Sequence, residues 1–220
     1  MRIERDRLEV LAEAVAKAEP DFDGPKRSVA LATYQRLAEG SPASVADIAQ
    51  RAGEGAELVE SVLASWPGVH RSGDGDVVGF WGLTIEELVP THAFEVRGRQ
   101  LYTWCAWDTL FLPGLLGAEA RVQSACPVTA ETVSLVVDPD RVVKTSHPNA
   151  VVSFLVPERG FDADVIQSFC HFVHFFASPG DGERWTAEHP GTFLLPLEEA
   201  FEVGRLVNAL NFPGLSKETR

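Results

Sequence analysis

The chain is 220 residues long with a mass of 24.0 kDa, enough for one sizeable domain or for a small domain beside a larger one. Its 45% hydrophobic and 23% charged residues describe an ordinary globular protein, while a formal net charge of −13 works against a nucleic-acid partner, because displacing counterions from phosphate takes an excess of Lys and Arg. Three cysteines are an odd number and too few for a disulfide framework, so reduced thiols in a reducing, cytoplasmic compartment are expected.

The opening residues, Met1 to Asp6, lack the apolar stretch of a signal peptide, and no apolar run approaches the ~20 residues of a membrane span, so no membrane partner is expected. From Arg5 to Ala18, the spacing of Leu8, Leu11, Val15 and Ala18 predicts an amphipathic helix that Pro20 to Pro25 terminate. A second helix is predicted from near Ser28 to Gly40, with Leu31, Tyr34, Leu37 and Ala38 as its stripe. Ser41 to Ser44 reads as a turn and cap for a short helix over Val45–Ala52, and Gly53-Glu54-Gly55 separates it from a third helix carrying Val59, Val62, Leu63 and Trp66. Val69–Arg71 and Val77–Phe80 flank a tight hairpin turn over Ser72 to Asp76.

Three helices and a hairpin resemble a winged helix, which invites a DNA-binding reading. The segment in the recognition-helix position, Glu54 to Trp66, carries Glu54, Glu57 and Glu60 and no Lys or Arg. Phosphates would be repelled by that surface. A supporting helical subdomain is therefore expected over residues 1–90, followed by a mixed unit over 91–220. In the latter, Ala93–Val96 and Ala120–Ser124 read as short strands, and the runs Thr132–Val137, Arg141–Thr145 and Val151–Val156 read as successive strands of one antiparallel sheet. A helix over Asp162–Phe169, a strand over His171–Phe176 and a terminal helix over Pro196–Val207 complete an α+β chain with flanking helices.

The chemistry concentrates in two stretches. Arg99 to Phe111 sets Cys105 and Asp108 among large apolar side chains, and in a helix these two residues would share one face. Gln167 to Phe176 supplies Cys170 in an equally aromatic setting. A free cysteine is by default an inert core thiol, and Cys126 keeps that reading. Spacing alone leaves open whether Cys105 and Cys170 meet. His171 and His174 would face opposite sides of a strand, and no Cys-x-x-Cys or His-x-x-x-His pair suggests zinc, so the histidines read as structural. His70, His92, His147 and His189 carry no usable signal. Trp104, Trp107 and Phe111 fall at helical spacing and read first as core, second as an apolar substrate wall.

Leu101 to Leu110 and Gln167 to Ser178 resemble the two cysteine motifs of the organomercurial (alkylmercury) lyase family, and the segments Ala120 to Cys126, Val133-Ser134-Leu135 and Glu198 to Phe201 follow in that family's order. The resemblance runs from about residue 28 to 210. It implies that Cys105 and Cys170 bind mercury, that Asp108 is the catalytic carboxylate and that Cys126 is structural. Trp107 stands where a smaller aliphatic is usual, and one cysteine rather than two follows Phe169; these departures bear on the shape of the pocket more than on the chemistry.

Thiolates are soft ligands suited to a soft metal, and an acid held protonated by burial could deliver a proton to carbon. The implied activity is protonolysis of a carbon–mercury bond to a hydrocarbon and Hg(II), a mercury-resistance reaction. It would require no cofactor, with cellular thiols or a mercuric reductase accepting the metal. The alternatives are a winged-helix thiol sensor of a soft metal, a thiol redox enzyme, and a relative of the lyase fold acting on another substrate.

Overall fold

A computed structural model describes residues 2–215, with side chains described from Arg5 onward. Helix α1 (Arg2–Ala18) buries Leu8, Leu11, Ala12, Val15 and Ala18, the stripe expected from the spacing. Helix α2 (Pro25–Leu37) has proline in its first turn, where the missing N–H costs nothing. It buries Val29, Ala30, Thr33, Tyr34 and Leu37, so its cover comes from several sides. Ser44 caps α3 (Val45–Ala52) by accepting the Asp47 N–H at 3.1 Å, and Gly53, left-handed at φ 72°, ends it. Helix α4 (Ala56–Ser65) turns Val59, Val62 and Leu63 inward.

Strands β1 (Val69–Arg71) and β2 (Val77–Phe80) form the expected hairpin, and β3 (Leu83–Thr84) follows. Strands β4 (His92–Val96) and β5 (Arg99–Thr103) are joined at Arg97-Gly98, both with positive φ, as a two-residue hairpin turn requires. After α5 (Asp108–Leu116) come β6 (Ala120–Ala125), β7 (Thr132–Val137) and β8 (Val142–Thr145). These strands make one antiparallel sheet in the order β1-β2-β3-β5-β4-β6-β7-β8. In β6, Ala120, Val122 and Ser124 are buried while Arg121, Gln123 and Ala125 are exposed, the alternation of a sheet with one wet face.

The run after Val151 departs from the expectation. Strand β9 (Val151–Phe154) is the centre of a second sheet, β10-β9-β11, with β10 (Phe175–Phe176) and β11 (Phe193–Pro196). All four β9 residues are buried, so the strand needs cover on both faces, which an outer position beside β8 would not give. The expected strand over His171–Phe176 is mostly a tight turn, a 3₁₀ segment at Cys170–Phe172, because Phe172 N–H bonds Phe169 O and Val173 N–H bonds Cys170 O. Its neighbour α6 is shorter than expected, at Val165–Ser168. Helix α7 (Pro179–Glu188), capped by Ser178, had no expectation attached, and α8 (Leu197–Asn211) packs along α1.

The class is α+β, as expected. Pairing of β3 with β5 carries the larger sheet from residues 69–84 into the part beyond residue 91, and residues 216–220 of that part lie outside the described ones. No described helix is long and apolar enough to cross a membrane.

Candidate active site

Helix α5 begins at Asp108, so Cys105 and Asp108 do not share a helix face as the spacing suggested. Two backbone N–H groups ahead of the helix, those of Trp104 and Ala106, go to tertiary partners instead. Trp104 N–H donates to Gly82 O at 3.0 Å, and Ala106 N–H to Val173 O at 3.2 Å. Thr103 Oγ1 donates to Cys105 O at 2.8 Å. The turn brings the carboxylate back over its own loop, where Asp108 Oδ2 accepts the Cys105 N–H at 2.8 Å. The Ala106–Val173 bond ties this loop to the turn that carries Cys170. As a result one ligand atom each from Cys105, Asp108 and Cys170 lie within 4.8 Å of one another, all three residues buried. Among the described residues no histidine belongs to such a cluster.

Burial governs the protonation of the trio. Cys105 is pushed well above an ordinary thiol by desolvation, reinforced by the neighbouring Cys170 thiol and the Asp108 charge. For Cys170, the Cys105 thiol favours ionisation, but burial and the Asp108 charge outweigh it and the balance is upward. Desolvation raises Asp108 to about 7, against the backbone N–H and thiol of Cys105 and the N–H of Trp104, which favour its anion. Burial therefore favours two protonated thiols beside an acid that can carry a proton near neutrality.

Trp81, Gly82, Trp104, Trp107, Phe111, Phe161, Val165, Phe169 and Glu19 complete the wall of a cavity of about 20 Å³ around Asp108 and Cys170. Trp107 is locked by donating Nε1–H to Ala200 O at 3.0 Å and by edge contacts with Phe154 and Phe169. Trp107 and Phe111 do pair, with ring centroids 4.8 Å apart. Trp104 leaves their expected stripe and stacks instead on His70 at 4.9 Å. A much wider concavity, about 560 Å³, lies elsewhere, on strands β4–β8 around Glu95, Arg121 and Lys144, and holds none of the cysteines.

A profile of the MerB family, alkylmercury lyase, matches residues 88–208. An alkylmercury lyase of Staphylococcus epidermidis is 47% identical over 174 residues, 79% of this chain and 78% of the relative. The chain belongs to the alkylmercury lyase family. A second such lyase, from Pseudomonas putida, is 40% identical over 79% of each chain. The crystal structure of the mercury-bound form of MerB2 superposes with a TM-score of 0.70 at 26% identity, covering 93% of this chain and 98% of that one.

Residues that the motifs did not announce also shape this family site. Gly82 has φ +92°, and a Cβ there would lie 2.7 Å from Asp108 Cγ. Its neighbour Trp81 also has positive φ, at 32°, and its carbonyl accepts Tyr34 Oη–H at 2.9 Å. Glu19, at the end of α1, is raised to about 8 by burial and then by the Asp108 charge, against a hydrogen bond from Asn211. Trp-Gly after an apolar strand was the one sequence signal for such a close approach; Glu19 had none. Cys126 is 1% exposed and packs with Val151 and Phe176, away from the trio. Buried His92 accepts or donates at Nδ1 with Ser124 Oγ at 2.8 Å, and His174 Nε2 meets His171 O at 2.8 Å.

Proposed function

We propose that the protein cleaves carbon–mercury bonds by protonolysis, with Cys105 and Cys170 as the mercury-binding thiolates and Asp108 as the proton carrier. The observation that carries this reading is the convergence of two thiols and one carboxyl within 4.8 Å, with Asp108 and Cys170 facing an aromatic cavity. Thiolates are the soft donors that a soft metal selects, and a ligating thiol must give up its proton. For a substrate R–Hg–X the balance is two thiols plus R–Hg–X giving R–H, mercury held by two thiolates, and HX. One thiol proton passes to Asp108 and from it to the carbon as the carbon–mercury bond breaks, its electron pair going to the new carbon–hydrogen bond. The other leaves with X. Two thiolates load the metal with electron density, which makes the attached carbon more like a carbanion and easier to protonate.

Every group required is supplied by the chain, so no resident cofactor enters the reading. Release of the mercuric ion falls to an external thiol, whether a cellular thiol or a mercuric reductase, in a reducing compartment such as the cytoplasm. The helices α2–α4 and the β1–β2 hairpin, winged-helix-like in their order, act in this reading as the buttress that holds Trp81 and Gly82 against Asp108. The acidic face of α4, with Glu57 and Glu60, supports that role over DNA binding.

The test is headspace detection of methane from methylmercury, or benzene from phenylmercury, in the presence of excess thiol. The parent releases hydrocarbon, and Cys105→Ser, Cys170→Ser and Asp108→Ala each abolish it, with Asp108→Ala still binding mercury. Stoichiometric mercury binding without hydrocarbon in the parent would instead favour a thiol sensor.

A further inference from the structure

The cavity beside Cys170 and Asp108 is far smaller than the substrates assigned to it. Its 20 Å³ or so admits one water, and a mercury atom bearing even a methyl group is larger than a water molecule. Part of the wall has to yield, and the walls differ in how firmly they are held. Trp107 is pinned by its indole hydrogen bond and by edge contacts on two sides. Trp81 is held through its backbone N–H on Gly68 O and its carbonyl on Tyr34 Oη. Phe169 is buried between Phe154 and Trp107.

Phe161 is held least. It is only partly buried, lies on the irregular stretch between β9 and α6, and its backbone makes one hydrogen bond, from its N–H to Ala18 O at 2.7 Å. Its ring rests on Phe169 at 5.0 Å and on Trp81 at 6.0 Å. On its far side is an open groove of about 330 Å³, which shares Phe161 and Phe169 with the inner cavity. That volume falls in the ~300–1,000 Å³ range of small-molecule sites. Leu155, Val156, Phe172 and Pro190 continue the apolar wall, and of the charges at the rim Arg159 and Asp162 pair with each other at 3.3 Å beside the exposed Glu158.

We propose that this groove is a second subsite, which receives the hydrocarbon group of organomercurials bulkier than methylmercury, and that Phe161 is the partition whose displacement sets the size admitted. The proposal rests on the lyase reading above. A hydrocarbon is the occupant that fits: much of the wall is aromatic and aliphatic, suited to stacking against a phenyl ring, and the groove's one arginine already has a carboxylate partner while Glu158 would repel an anion. Methylmercury needs only the inner cavity to open, while an aryl or long alkyl group needs the passage past Phe161.

The experiment measures kcat/KM for phenylmercury and for methylmercury, with excess thiol, in the parent, in Phe161→Ala and in Val156→Trp. Val156 is 50% exposed, so a tryptophan there fills the groove without disturbing the core. Removing the partition raises the phenyl-to-methyl ratio by about tenfold, and filling the groove lowers it by about as much, the scale on which an apolar pocket discriminates size. A ratio that stays put in both variants, with turnover of both substrates intact, would overturn the subsite and leave the lyase reading standing. Hydrocarbon from neither substrate in the parent would remove both together.

Discussion

At the scale of single residues, the position of Asp108 depends on an absent side chain. A Cβ at residue 82 would sit 2.7 Å from Asp108 Cγ and 2.8 Å from Oδ1, and the backbone there is left-handed at φ +92°. Gly82→Ala therefore both strains the chain and pushes the carboxyl off its place. Displacements of this kind cost on the order of 100-fold in rate, and the expected outcome is a kcat/KM loss of that size with mercury binding kept. Gly53→Ala is the contrast: it too is left-handed, at φ +72°, but nothing lies within 4 Å of the new Cβ. Its effect is confined to a lower thermal midpoint, from about 1 kcal/mol of backbone strain. Equal activity loss in the two variants would show that strain alone, and not crowding of Asp108, is what Gly82 avoids.

At the scale of elements, the turn that carries Cys170 is moored to β9 at Ser153, by its backbone N–H on His174 O at 3.0 Å and by its hydroxyl. Ser153 Oγ donates to Phe172 O at 2.8 Å and accepts His174 N–H at 2.9 Å, and Ser153 is fully buried. Ser153→Ala leaves a partly buried carbonyl and a buried N–H unpaired, at a cost of about 1–3 kcal/mol. Urea unfolding should register that loss, together with a drop in hydrocarbon release as Cys170 loses its register opposite Cys105. Unchanged stability would mean that the two backbone groups find other partners.

The elements also explain what could be foreseen. Helices α1, α3 and α8 and the β1–β2 hairpin were legible because amphipathic spacing, the Ser44 cap and a glycine-rich turn are local signals. Cys105, Asp108 and Cys170 were legible as motifs. The turn around Cys105 was not, because its Trp104 and Ala106 N–H groups bond to Gly82 and Val173, partners that no short window contains. Glu19 and Phe161 were invisible for the same reason: each is an ordinary residue until folding lays α1 and the stretch before α6 against the site.

At the scale of the whole molecule, buried acids and bases oppose each other. Burial, and next the neighbouring His174, holds His92 down to about 3, and burial holds His174 down to about 4. Unfolding would let both take up protons below their usual value, so each adds stability as pH rises toward about 6.5, by up to ~1.4 kcal/mol per pH unit. Asp108 and Glu19, held up at about 7 and about 8, keep protons that the unfolded chain has already released. Each therefore subtracts stability, at the same slope, as pH climbs from about 4 to those values. The two pairs nearly cancel between about pH 4.5 and 6.5, and above that only the carboxyls act. Urea midpoints should be level over the lower interval and fall from about pH 6.5 to 8, with Glu19→Gln removing the upper part of the fall. A midpoint that keeps rising through pH 8 would contradict these assignments.

All three thiols, Cys126 included, are buried in the native chain. An unfolded molecule offers the same three sulfurs without hindrance, and a ligand that prefers the unfolded chain draws the equilibrium toward it. The product of the proposed reaction also binds the native pair, which opposes that pull, but mercury beyond one ion per chain finds a further sulfur, that of Cys126, only in the unfolded molecule. Wherever acceptor thiols run short, the enzyme's own mercury becomes its denaturant, trapping each molecule that opens, so the working lifetime of the protein is set by its rate of unfolding and by the supply of scavenger rather than by wear at the catalytic pair.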